Sequence, residues 1–208
     1  MYPEVIYGNF LKAKHAVRWL LYFNRFPGDD KAYGKNDLFF SYSLKFNDPQ
    51  LNPSYRICTI EYYNWELYKR TNFGERHGTC YIVRKGSNRP DLPKEFDGVV
   101  IDNLPEREKV EQFNKCKYCV SYDMYTAYSG IAAMLGCISI VMPEPEKTKD
   151  DYGGPRLGIA FGFDAEEIEY AKSSVKALAE SYRNLEQRNR ENVRYFISEC
   201  AKYFQLGD

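Results

Sequence analysis

Two histidines, no strong excess of either charge and no long apolar run are the first features of this 208-residue chain. Lysine plus arginine number 29 and aspartate plus glutamate 29. That balance argues against a protein that wraps nucleic acid, which carries a basic excess, although a local basic patch around a phosphate stays compatible with it. No stretch approaches the ~18 consecutive apolar residues of a membrane span. The opening "MYPEVIYGNF" lacks the basic and apolar regions of a signal peptide. The expectation is a cytoplasmic protein without a membrane span, with peripheral association left open. His15 and His77 offer no ligand cluster, and the six cysteines contain one close pair, Cys116 and Cys119 in "CKYC". A zinc site wants a second Cys or His pair, and none is visible, so no metal is expected. Cys58, Cys80, Cys137 and Cys200 sit in apolar contexts as thiols. There is no internal repeat and no low-complexity tract.

What is present is apolar and aromatic: 44% hydrophobic and 16% aromatic residues suffice for a sizeable core. Residues 9–24, "NFLKAKHAVRWLLYFN", place Phe10, Ala13, Val17, Leu20 and Leu21 on one helical stripe, with Asn9 as N-cap. Strands are predicted at 38–44, 55–60, 79–83, 98–104, 118–122, 137–142 and 157–163. Helices are predicted at 61–73, 105–116 and 126–136, and two long amphipathic ones close the chain. The first of these runs through Ile168, Ala171, Val175, Leu178, Tyr182 and Leu185. The second runs through Val193, Phe196, Ile197, Cys200 and Phe204. A polar loop is expected from Pro143 to Pro155. Alternating strands and helices predict an α/β protein: a Rossmann-like three-layer parallel sheet with helices on both faces, an N-terminal helix and two C-terminal helices. The expected division is a linker helix region at 1–30, a Rossmann-like domain at 31–163, and helices at 164–208 packing on that same domain.

Ligands of open parallel sheets bind at the carboxyl ends of strands. Two segments offer suitable chemistry there. "VRKGSN" places Arg84, Lys85 and Gly86 after a strand, cations beside a flexible turn that suit a phosphate or form a solvated charged turn. It is not a Walker loop. "CVSYDMYTAYSGIAAMLGCISIVMP" places Ser121, Tyr122 and Asp123 at a strand end, with Thr126 in the first turn of a helix and Ser129 on the same side. A helix N-terminus with free amides favours an anion. Asp123 either caps the helix or accepts from sugar hydroxyls. Tyr122, Tyr125 and Tyr128 read either as half-buried packing or as stacking surfaces for a base or sugar. Glu144 and Glu146 read as sugar ligands or as an exposed acidic loop.

The stretch "FNKCKYCVSYDMYTAYSGIAAMLGCISIVMP" resembles the donor-binding segment of GT-B glycosyltransferases, in which a strand, an acidic loop, an alanine-rich helix and a further strand follow one another. "YGNFLKAKHAVRWLLYFNRFPG" resembles the linker helix of such enzymes, "CYIVRKG" the basic turn near the donor diphosphate, and "RLGIAFG" with the helices after it the end of the donor domain. The resemblance covers nearly the whole chain and half of such an enzyme. It implies a hexosyltransferase-type activity in bacterial-type surface polysaccharide or glycoconjugate synthesis, with a UDP- or GDP-type nucleotide-diphosphate sugar as substrate and no cofactor required. It implies diphosphate contacts from Arg84, Lys85, Gly86 and Thr126, and ribose or sugar contacts from Ser121, Tyr122, Asp123, Ser129 and Glu144. A glycan or lipid-linked acceptor would be held by an N-terminal domain or a separate chain, so no catalytic base is assigned. One departure is visible: many retaining members carry a ribose-binding glutamate five residues before the helix-ending glycine, and here Ile131 stands five before Gly136. An alternative from another class is a flavodoxin- or response-regulator-like interaction domain, with Asp102 and Asp123 as its acidic pocket.

Overall fold

The computed structural model describes residues 1–152 and 155–206. Two residues of the predicted Pro143–Pro155 loop (153–154) and the last two of the predicted 164–208 segment lie outside the described residues. The chain divides into two compact units, Met1–Tyr62 with Asn184–Asp208, and Tyr63–Arg183.

The first unit carries β1 (Tyr2–Pro3), β2 (Val17–Leu20) and β3 (Leu38–Ser41) in a parallel sheet of order 1-2-3. Val17–Leu20 is therefore strand and not part of a helix over 9–24. Val17 and Leu20 are buried as a helical stripe would have them, but Trp19 and Arg18 between them are also covered, which suits a strand buried on both faces. Asn9 is not an N-cap: its side chain accepts from the Ala13 amide and donates to the Ala13 carbonyl, closing a loop. Phe10 and Leu21, predicted for the core, are 65% and 40% exposed. Segment 55–60 contributes one isolated bridge, between Ser41 and Ile57, in place of a strand.

Helix α4 (Leu185–Phe204) belongs to this first unit, where Phe196, Cys200 and Phe204 pack on Val17, Leu38, Phe40 and Cys58. That corrects the expectation that both C-terminal helices share one domain with the central sheet. The boundary also falls after Tyr62 and not after residue 30. Arg18 is fully buried. Its guanidinium donates to Asp37 at 2.6 Å and to the carbonyls of Ile6 and Gly8, between the rings of Tyr2 and Tyr33. A buried cation needs every one of these partners.

The second unit holds five parallel strands: β4 (Thr79–Ile82), β5 (Val99–Val100), β6 (Tyr118–Ser121), β7 (Ile138–Val141) and β8 (Ile159–Phe161). They lie in the order 5-4-6-7-8. Helix α1 (Glu106–Lys115) leads from β5 to β6, α2 (Tyr128–Leu135) from β6 to β7, and α3 (Ala165–Arg183) follows β8. This is the Rossmann-like parallel α/β architecture. Segment 61–73, predicted helical, forms turns: Asn64 accepts from the amides of Glu66 and Leu67, and Tyr63 donates to the Tyr68 carbonyl. On one sheet face Val120, Ile140 and Ala160 meet Ile168 and Ala171 of α3.

The amino end of this sheet is tied by Arg76. Its guanidinium donates to the carbonyls of Phe113 and Cys116 at the end of α1 and of Leu135 at the end of α2, where positive charge also complements the helix dipoles. Gly136, at φ 105° in the C-cap of α2, leaves room for it: a Cβ there would lie 2.6 Å from Arg76 Nη2.

Replacing Asp37 by Ala leaves the Arg18 charge buried with two carbonyls only. The expected loss is about 3–5 kcal/mol in denaturant unfolding followed by Trp19 fluorescence. A loss below ~1 kcal/mol would show that the ion pair does not hold the N-terminal strands together.

Candidate functional site

Strand order 5-4-6-7-8 places the first strand of the unit, β4, beside the third, β6, so chain direction across the sheet reverses between them. In doubly wound sheets the ligand crevice opens at that reversal, outside the carboxyl ends of the strands. The register pairs Ile82 with Ser121, the last residues of β4 and β6. The Arg84–Gly86 turn and the Ser121–Thr126 entry to α2 therefore lie side by side at the reversal point.

The turn after β4 is a short 3-10 helix, Arg84–Gly86. The Asp102 carboxylate, following β5, accepts from the amides of Val83 and Arg84. Arg84 takes φ 37°, a left-handed conformation uncommon for a residue with a Cβ, and its guanidinium lies 5.4 Å from the Tyr128 ring centroid. Arg84 and Lys85 are exposed, as a phosphate site would need. Gly86 is buried, and a Cβ on it would stand 2.2 Å from the Tyr122 carbonyl oxygen. Its close approach is to the backbone after β6.

The polar side chains of the α2 entry are turned inward. Ser121 Oγ donates to the Asp123 carbonyl and accepts from the Asp123 amide. Asp123 Oδ1 accepts from the Tyr125 amide, and Thr126 Oγ1 from the Tyr128 amide. All three residues are buried. These are local turn bonds of the kind Ser, Asp and Thr make where a strand leads into a helix, and none of them caps α2, whose N-cap is Ala127. The Asp123 bond closes a turn that ends before Ala127, so Asp123 does not cap α2. Ser129 differs: it is 1% exposed, and its hydroxyl has no protein partner. Glu144 pairs with Lys147, and its amide meets Met124 Sδ.

The three tyrosines are held as packing. Tyr122 lies against Arg89 and Phe96, Tyr125 is stacked on Tyr152, and Tyr128 sits under Arg84 and Lys109.

Two residues absent from the expected site, Arg89 and Glu106, organise this rim. Arg89 donates to the carbonyls of Tyr122, Met142 and Pro143, spanning the ends of β6 and β7, and its fork also grips Asp91. Those bonds hold Asp91 below the usual carboxylate range. Glu106, at the start of α1, accepts from the hydroxyls of Tyr68 and Tyr128, and Lys109 lies beside it. Burial pushes the Glu106 pKa up, but the two hydroxyls and the ammonium outweigh it, and the net direction is down. Burial and the bond to Glu106 push Tyr68 and Tyr128 up. A lone arginine in "GSNRPD" and a helix-start glutamate carry no signal by spacing, because their partners are remote.

Two cavities of this unit lie at the opposite, amino end. One of about 210 Å³ is lined by Arg70, Gly136, Cys137 and Lys172, among others, and one of about 420 Å³ by Asn72, His77, Asn114 and Lys115, among others. Among the described residues, no helix is long and apolar enough to cross a membrane, and no three His, Cys, Asp or Glu side chains are grouped to hold a metal ion.

The fold and rim define a doubly wound parallel α/β protein. Compared with protein-family models, with curated proteins and with solved structures, the chain finds no match.

Because the folded pKa of Glu106 is depressed, its contribution to stability is present above its unfolded pKa and is lost as pH falls through the folded value. The midpoint difference between wild type and Glu106→Gln should be largest near neutral pH and shrink as pH falls below the ordinary glutamate range. A difference that stays constant over that range contradicts the network.

Proposed function

We propose that the chain is the donor-binding part of a glycosyltransferase, taking a nucleotide-diphosphate sugar at the reversal point between β4 and β6. The observation that carries this reading is the pairing of Ile82 with Ser121, which sets the exposed cations Arg84 and Lys85 beside the N-terminus of α2. Diphosphate leaving groups are stabilised by fixed cations and helix-terminal amides, which need only be positioned.

Of the nine residues expected to contact donor, Arg84 and Lys85 keep their role, acting on the diphosphate. Ser129 supplies a buried hydroxyl with no protein partner. Gly86, Ser121, Asp123 and Thr126 shape the crevice from within. Tyr122 and Glu144 border it. The donor is of UDP or GDP type, and the acceptor, a glycan or a lipid-linked sugar, is presented by another domain or chain. The catalytic base belongs to that acceptor side.

Strand order also favours a second reading. Numbered within the unit, it is 2-1-3-4-5, that of flavodoxin- and response-regulator-like domains. The two acids of its pocket are each hydrogen-bonded to backbone, Asp102 to the Val83 and Arg84 amides and Asp123 to the Tyr125 amide. Phosphorylation of Asp102 or Asp123 by a small phosphodonor with magnesium would favour this second reading.

Titration of the folded protein with UDP, GDP and their sugars tests the first reading. Binding in the micromolar-to-millimolar range is expected, weakened about tenfold or more by Arg84→Ala with Lys85→Ala, roughly 1.4 kcal/mol. No binding at millimolar ligand, or unchanged affinity in the double variant, contradicts it.

A further inference from the structure

The cavity of about 210 Å³ at the amino end of the five-stranded sheet takes no part in the chemistry of the rim. Its wall is built where small residues meet. Ala133 and Gly136 come from the end of α2, Gly158 precedes β8, and Ala171 and Val175 belong to α3. Gly136 and Gly158 take φ of 105° and 75°, so both positions call for glycine and bring no side chain to the wall. Ala133 and Ala171 are buried. This side of the cavity is apolar.

The other side is cationic. Arg70 and Lys172 stand on the same wall, both exposed, and among the described residues no acidic side chain lines the cavity. Arg70 donates to the Asn72 carbonyl and lies over the Phe73 ring; among the described residues neither cation is in an ion pair. A third cation is close by. A Cβ placed on Gly136 would stand 2.6 Å from Arg76 Nη2 and 2.9 Å from Arg70 Nε. Arg76 meets only carbonyls, and its buried Nε has no protein partner. The C-terminal dipole of α2 answers part of this charge, through the Leu135 carbonyl on Arg76. Two guanidiniums and an ammonium around one hollow, with no carboxylate among them, leave positive charge for a small anion to neutralise.

The apolar side decides which anion. An inorganic one would leave Ala133, Ala171 and Val175 facing water. A carboxylate on a compact hydrocarbon body meets the cations with its head and the apolar side with its body. The volume of about 210 Å³ lies below the roughly 300 Å³ at which sites for drug-sized ligands begin, so the ligand is small.

We propose that this cavity binds a small monocarboxylate with an apolar body, its carboxylate held by Arg70 and Lys172 and its body against Ala133, Ala171 and Val175. The site lies at the opposite end of the sheet from the β4–β6 rim and is independent of any donor bound there.

The test is an NMR titration of the folded full chain with benzoate, with benzamide as the neutral isostere and inorganic phosphate as the anion without a body. Benzoate should give saturable shifts at Gly136, Ala171 and Val175, and benzamide and phosphate should each bind at least about tenfold more weakly. Arg70→Gln with Lys172→Gln should weaken benzoate about tenfold or more. Should that variant fail to fold, Lys172→Gln alone, at an exposed helix position, should weaken it about threefold. Absence of saturable shifts at ~50 mM benzoate, equal affinity for benzamide or for phosphate, or unchanged affinity in the variants overturns the proposal. Shifts confined to Arg84 and Lys85 overturn it too, because they place the anion at the rim.

Discussion

The contact on which the rim depends is made by a missing side chain and a long one. Gly86 lets the turn after β4 rest on the Tyr122 carbonyl, where a Cβ would overlap it at 2.2 Å. Arg89, three residues on, lays its guanidinium across the carbonyls that end β6 and β7. Strand ends in a parallel sheet carry carbonyls with no ladder partner, and a fork with five donors satisfies several of them at once. The same device works at the other end, where Arg76 satisfies the last carbonyls of α1 and α2. Each end of the five-stranded sheet is thus fastened by one arginine.

This arrangement divides the labour among the polar residues at the reversal point. Hydroxyls and carboxylates that could have met a sugar instead close the turns into α2, because buried amides must find acceptors. Charge directed to solvent is left to Arg84 and Lys85, held by the bond of Asp102 to the Val83 and Arg84 amides. The site reads as an electrostatic one: a rigid rim that presents cations, lined by tyrosines already packed against protein.

The central part of the second unit was legible in the sequence. β4, β6, β7, α1 and α2 come from short apolar runs separated by Gly, Pro and early acids, and their alternation dictates a parallel sheet. The same rule placed Arg84–Gly86 and Ser121–Thr126 at carboxyl ends of strands; that β4 pairs with β6 came from the structure. The first unit was legible only in part: β3 and α4 were predicted as a strand and a helix, and β1 and β2 were not. Phe10, Ala13, Val17 and Leu20 match a helical period, yet Val17–Leu20 pairs on both sides with Tyr2–Pro3 and Leu38–Ser41, and a doubly buried strand has no period of its own. The return of α4 to that unit was invisible for a related reason: its stripe of Phe196, Cys200 and Phe204 says that it packs, not on what. Arg89 and Arg76 rest on partners distant in sequence, which spacing cannot reveal.

The central claim is that the reversal between β4 and β6 receives a diphosphate. The most direct measurement is a crystal structure of the full chain soaked with UDP or GDP. The account predicts diphosphate density outside the ends of β4 and β6, within reach of Arg84 and Lys85 and beside the first turn of α2. A nucleotide seated instead in the cavities at the amino end of the sheet, with that rim vacant at saturating ligand, would contradict it.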